Sequence, residues 1–158
     1  MEMRMRTAFF LFLAALLPGQ ALAANQVALA NDVFVERVTT DSTGKQRILL
    51  EEPRVVVPGD RLVFVLNYRN AGAQPADKFV ITNPLPSAVR FTDAGDTTPL
   101  VSIDGGRGWG QLDQLTVTLN DGTRRAAQPD DVTHIRWAFQ KPIPVGGSGK
   151  LMFRGVVK

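Results

Sequence analysis

The chain has 158 residues, 44% of them apolar and 21% charged, with 14 Gly, 10 Pro, one His and no Cys. Without cysteine, a disulfide scaffold, thiolate zinc sites, iron–sulfur clusters, a Cys nucleophile and a lipidated Cys are all excluded. A formal net charge of +3 is too small for a nucleic-acid footprint, and this length supplies one domain.

Residues 1–23 read as a tripartite secretory signal. Arg4 and Arg6 make a positive start, residues 8–17 are continuously apolar, and Pro18-Gly19 breaks the run. Ala21-Leu22-Ala23 then offers small residues at both positions that signal peptidase reads, for a cut before Ala24. As a helix the apolar run would rise only about 15 Å, roughly half a bilayer core, so a cleaved signal is expected rather than an anchor. No later apolar run approaches the ~20 residues of a spanning helix. The expected product is a single domain, residues 24–158, exported to the periplasm or the cell exterior, with no stable membrane span.

Beyond the signal, apolar residues alternate with a period of two and turn residues recur, which is the all-β pattern. Residues 27–38 and 48–57 read as a strand pair joined through Asp41-Ser42-Thr43-Gly44. Val57-Pro58-Gly59-Asp60 turns the chain into a strand at 61–70, with Leu62, Phe64, Leu66 and Tyr68 on one face and Val63, Val65, Asn67 and Arg69 on the other. Asn70-Ala71-Gly72 closes it. A strand at 78–83 puts Phe79 and Ile81 on one face, and Pro84 and Pro86 are expected to halt its pairing, since proline cannot donate to a ladder.

Further strands are expected at 89–92, 100–103, 112–119, 133–139 and 150–157. In 112–119, Leu115, Val117 and Leu119 face inward, and Asn120-Asp121-Gly122 follows as a hairpin turn. Ile135, Trp137 and Phe139 form another inward set, and Leu151, Phe153, Gly155 and Val157 the last. Gly146-Gly147-Ser148-Gly149 reads as a flexible turn rather than a phosphate cradle, because a strand follows it and not a helix. About seven to nine short strands predict an all-β, immunoglobulin-like two-sheet β-sandwich rather than a closed barrel. Its core would be Phe64, Tyr68, Phe79, Trp137 and Phe153, with no inter-sheet disulfide.

The order of Val57-Pro58-Gly59-Asp60, the 62–68 strand, Asn70-Ala71-Gly72 and Val80-Ile81-Thr82-Asn83-Pro84-Leu85-Pro86 resembles the conserved repeat domain of bacterial surface proteins known as domain of unknown function eleven. Ser102-Ile103-Asp104-Gly105-Gly106, residues 132–139 and the glycine run before the last strand are similar to its short single-domain exported members. The resemblance implies an immunoglobulin-like sandwich, export, and a structural or adhesive envelope role, and it implies no catalytic residues. Members are frequently tandem repeats, whereas one copy is present here.

His134, the sole imidazole, falls on an outer face beside Arg136 with no nameable partner, and reads as an exposed strand histidine. Ser42, Ser87, Ser102 and Ser148 have no visible base and read as turn or strand residues. No catalytic residue and no cofactor is therefore assigned. In the 93–110 loop, Asp93, Asp96 and Asp104 are the candidate calcium ligands, since a hard cation wants several oxygens. Turn formation is the plain alternative for them, as for Asp130 and Asp131. Trp109, with Arg107 nearby, is the candidate platform for a sugar ring or a partner's side chain; capping the core is its alternative.

Arg107, Arg124, Arg125, Arg136, Lys141, Lys150 and Arg154 form either a basic surface for anionic envelope polymers or a mixed solvated one. Asn67, with Lys or Asp neighbours, is the candidate for an internal isopeptide crosslink. The expected function is non-enzymatic protein contact in the bacterial envelope, in a structural, adhesive or assembly role. The alternative is a module binding glycan or Ca²⁺ through the 93–110 loop. Expected partners are envelope or surface proteins and, by strand addition through residues 24–38, a second copy.

Overall fold

The computed structural model describes residues 26–158. The expected signal peptide and its cleavage residues Ala21, Ala23 and Ala24 lie outside the described residues. The described residues form ten strands: β1 (Val27–Thr40), β2 (Gln46–Glu51), β3 (Arg61–Asn70), β4 (Val80–Pro84), β5 (Val89–Asp93), β6 (Leu100–Ser102), β7 (Thr116–Thr118), β8 (Arg124–Ala126), β9 (His134–Ala138) and β10 (Ser148–Val157). Two short 3-10 turns, Leu112–Gln114 and Pro129–Asp131, complete it. Among the described residues there is no α-helix.

The strands form a five-stranded sheet in the order β2-β1-β3-β10-β5, a three-stranded sheet β4-β9-β6, and the two-stranded ribbon β7-β8. All pairing is antiparallel. The hairpins β1-β2 and β7-β8 turn by the same device. Asp41 Oδ1 accepts from the Thr43 N–H at 2.9 Å and the Thr43 hydroxyl at 2.6 Å, and Asp121 Oδ1 does the same with Thr123. Such side-chain acceptors fix the turn before any strand pairing is made.

The two larger sheets share one core, an arrangement consistent with a β-sandwich. Phe153, on β10, is fully buried; its ring stacks on Phe64 with centroids 4.4 Å apart and meets Trp137 of the other sheet at 6.2 Å. Tyr68 and Phe79 pack against the rim of this cluster, both touching Phe139. All five aromatics expected in the core thus converge. Asn31 Nδ2 donates to Asn83 Oδ1 at 2.9 Å, a polar link from β1 to β4. Gly149 lies directly against the Tyr68 ring, where a Cβ would overlap the phenol.

Several expectations are corrected. On β3 the second face is also closed at its centre: Val63 and Val65 are buried, at 1% and 6% exposure. As the middle strand it is flanked on both sides, Val63 standing opposite Phe34 and Arg154, and Val65 opposite Asp32 and Met152. The 48–57 strand ends at Glu51, short of Pro53, and leaves Val55, Val56 and Val57 in solvent. In 112–119 the 3-10 turn interrupts the alternation. Leu112 and Leu115 still pack on the core, but Leu119 is exposed and β7 pairs only with β8, a strand missed in the sequence.

The stop expected at the two prolines is where β4 ends: Pro84 stands opposite His134 as its last residue, and the Leu85 N–H makes one final bond to the Thr133 carbonyl at 2.8 Å. Because β4 is an edge strand whose alternate residues address β9, the missing N–H of Pro84 faces the open side, where no ladder needs it. Of residues 24–38, expected to add to a second copy's sheet, those from Val27 on form β1 of the chain's own sheet, paired with β3 along 27–35.

Candidate functional site

The expected 93–110 loop is not one loop, because β6 divides it. After β6 the chain bends at Gly105 and Gly106, whose φ values of 78° and 89° suit glycine alone. The bend aims successive backbone N–H groups back at one carboxylate. Asp104 Oδ1 accepts from the Arg107 N–H at 3.0 Å, the Gly108 N–H at 2.9 Å and the Ser102 hydroxyl at 2.7 Å. The Gly108 amide and Ser102 hydroxyl, with Arg107, hold the Asp104 carboxyl below its ordinary value. Ser102 itself is fully buried, and its Oγ also accepts the Gly106 N–H at 2.9 Å. Its hydroxyl therefore organises the turn.

Asp93 closes β5 and serves another purpose. Its Oδ1 accepts from Arg154 Nη1 at 3.0 Å and from the Gly95 N–H at 3.0 Å. Burial pushes the Asp93 carboxyl up, but the Gly95 amide and the Arg154 guanidinium outweigh it and leave it lowered. Asp96 is exposed in the turn that follows. Of the candidate calcium ligands, Asp93 and Asp104 thus turn oxygens to internal donors. Among the described residues no group of three or more His, Asp or Glu side chains stands close enough to hold a metal.

Trp109 neither caps the core nor stands open on both faces. Its Nε1 donates to the Gly106 carbonyl at 3.0 Å, and the Arg136 guanidinium lies over its ring, 3.6 Å from the centroid. His134 meets the same ring edge-on at 6.3 Å, and its Nδ1 lies 3.0 Å from the Thr133 hydroxyl. Thr133 Oγ1 in turn accepts the Gly105 N–H at 3.1 Å and donates to the Ser102 carbonyl at 3.1 Å. The outer face of β9 and the 103–110 loop are thereby fastened together. The Arg107 side chain is exposed and only its backbone enters the network.

Of the seven basic residues, Arg125 and Arg154 are drawn into ion pairs. Arg125 grips Asp131 with two bonds of 2.6 and 2.7 Å, and Asp131 also accepts the Gln128 N–H at the start of its 3-10 turn. Arg154 donates to Glu36 at 2.8 Å as well as to Asp93. Arg124, Lys141 and Lys150 remain exposed, as do Ser42, Ser87, Ser148 and Asp130. Asn67 donates to Asp32 at 3.0 Å and lies opposite Lys150 in register, on the solvated side of the sheet.

Three polar residues escaped sequence reasoning. Asn70, in the expected N-x-G turn, is 1% exposed and hydrogen-bonded on both sides of its amide. Asp60, in the expected Pro-Gly-Asp turn, accepts from Arg37 at 2.7 Å and the Val57 N–H at 3.0 Å. Glu36 is the hub of the sheet's outer face, taking Arg61 at 3.1 Å and Arg154 at 2.8 Å. The two turn motifs carried a signal for Asn70 and Asp60; Glu36 had none.

The most conspicuous unsatisfied surface is apolar. Val38, Ile48, Leu49, Leu50, Val55, Val56 and Val57 are all exposed and lie in the β1-β2 hairpin and the segment after it. No family model matches the chain, and no curated protein or solved structure matches it.

Proposed function

We propose that this protein is exported and works by protein contact in a bacterial envelope, as a non-enzymatic sandwich of immunoglobulin type in a structural, adhesive or assembly role. The observation that carries this is the concentration of exposed apolar side chains between Val38 and Val57, a surface that a protein in water keeps for a partner. The tripartite N-terminal segment supports export. The motif order shared with domain of unknown function eleven supports the immunoglobulin-type topology and the envelope role.

The test is expression of the full chain in a bacterial host, with fractionation, N-terminal sequencing and a photo-crosslinker at position 55 or, as control, at exposed Thr118. The expected result is a mature N-terminus at Ala24 outside the cytoplasm, and protein crosslinks from position 55 that position 118 does not give. An uncleaved cytoplasmic product, or equal crosslinking from both positions, would overturn it.

A further inference from the structure

We propose that β2 is a self-pairing edge, at which two copies of the chain join antiparallel about a two-fold axis through Leu49 to make one continuous sheet. The proposal rests on the contact role argued above and names the partner of one edge. β2 is the outermost strand of the large sheet, so one side of its backbone has no ladder among the described residues. Which groups face that side follows from the hairpin. The Asp41 N–H donates to the Lys45 carbonyl at 2.9 Å, and hydrogen-bonded pairs alternate in an antiparallel ladder. In the register that sets Thr39 opposite Arg47 and Arg37 opposite Leu49, residues 47, 49 and 51 address β1. Gln46, Ile48 and Leu50 therefore turn their N–H and C=O groups outward.

Edge strands are ordinarily blunted by proline, bulges or charges at their centre. β2 has none of these: its register with β1 is regular, and its centre is Ile48, Leu49 and Leu50, 64%, 45% and 48% exposed. Its charges sit at either end instead, and their signs decide the register. With the axis at Leu49, Arg47 stands opposite Glu51 of the second copy, Ile48 opposite Leu50, and Leu49 opposite itself. Symmetry repeats the ion pair and the apolar pair, which is the self-complementarity a two-fold interface requires. Moving the axis to Ile48 sets Arg47 against Leu49, and moving it to Leu50 sets Glu51 against Leu49. Arg47 touches Asp41 at 3.3 Å but keeps 66% of its side chain exposed, within reach of a second carboxylate. Glu51 makes no ion pair among the described residues.

The experiment uses chain purified from cells expressing the full sequence. Sedimentation across a concentration series should show a monomer–dimer equilibrium, weakened at least tenfold by Arg47→Glu or by Glu51→Arg alone and restored by the two together, with circular dichroism confirming that each variant folds. The chain has no cysteine, so Leu49→Cys reports on one contact only. It should give a disulfide-linked dimer on mild oxidation, whereas Leu50→Cys should not, because two residue-50 side chains sit about 7 Å apart on a diagonal. A monomer at every concentration, no rescue by the charge swap, or equal crosslinking at 49 and 50 would overturn the self-pairing. If such a monomer still crosslinks to another protein from position 55 in cells, the contact role stands and only the self-pairing falls; loss of both removes both.

Discussion

The Asn70 side-chain amide donates to the Ile143 carbonyl at 2.9 Å, across a separation of 73 residues. It also donates to the Gln74 carbonyl at 2.8 Å, while its Oδ1 accepts the Gly72 N–H at 3.0 Å. The Asn70 backbone is bonded to Gly146 and Gly147 as well. One side chain thus pins the end of β3 to the two segments that cross over it. Asn70→Ala removes three hydrogen bonds made by a side chain that is itself 1% exposed and should cost about 3 kcal/mol in urea unfolding. Asn67→Ala, at a half-buried position on the same strand, should stay within about 0.5 kcal/mol of the parent. Similar values for the two variants would contradict this role.

Gly149 beneath Tyr68 gives a packing prediction. Gly149→Ala drives a methyl into the phenol ring and should destabilise by about 2 kcal/mol, within the range for overpacking. In a Tyr68→Ala background the same change should cost less than about 0.5 kcal/mol, since contacting residues are not additive. A double-mutant cycle by thermal or urea unfolding checks it. Equal costs in both backgrounds would place the strain elsewhere.

Acid sensitivity follows from the carboxylates. Asp41, Asp60, Asp93, Asp104, Asp121 and Asp131 are all held below the ordinary aspartate value. A folded value below the unfolded one means that the unfolded chain binds more protons. The stability these groups supply is therefore complete above about pH 4 and is lost as pH falls through their lowered values. Tm should be level with respect to them from about pH 5 to 7 and should drop below about pH 4. For Asp131 the main cause is the Arg125 grip, so Asp131→Asn should lower Tm at pH 6 and converge on the parent near pH 2. Parallel profiles for parent and variant would refute the assignment.

Trp109 and Trp137 are the two tryptophans of the chain, and Arg136 covers only the first. Arg136→Ala should red-shift the emission and raise acrylamide quenching. In a Trp109→Phe background, where the buried Trp137 remains, the same substitution should change neither. Millimolar Ca²⁺ should move neither emission nor Tm, because the Asp93 and Asp104 carboxylates are filled by internal donors. A saturable calcium response would reverse that conclusion.

Period-two alternation made the long strands legible, and Asp-x-Thr-Gly and Asn-Asp-Gly made the hairpin turns legible. β8 was not legible, because Arg124-Arg125-Ala126 carries no apolar alternation and is a strand only through its turn and its pairing with β7. The burial of Val63 and Val65 was hidden for another reason: alternation reports which side a residue faces, and the neighbours that cover the second side come from β1 and β10. In the candidate site, the Asp-rich loop was visible as composition. Whether a carboxylate serves a cation or its own backbone depends on where the N–H groups point, and the bend at Gly105 and Gly106 sets that. The end of β4 at Pro84 was legible, because two prolines within three residues leave the strand no donors with which to continue.

β10, C-terminal to every other element described, lies between β3 and β5 inside the large sheet and supplies Phe153 to the centre of the core. A chain still being synthesised therefore holds β3 and β5 as two strands with a gap between them until β10 emerges. Contacts of such long sequence separation form slowly, so the large sheet should close in one late, cooperative step.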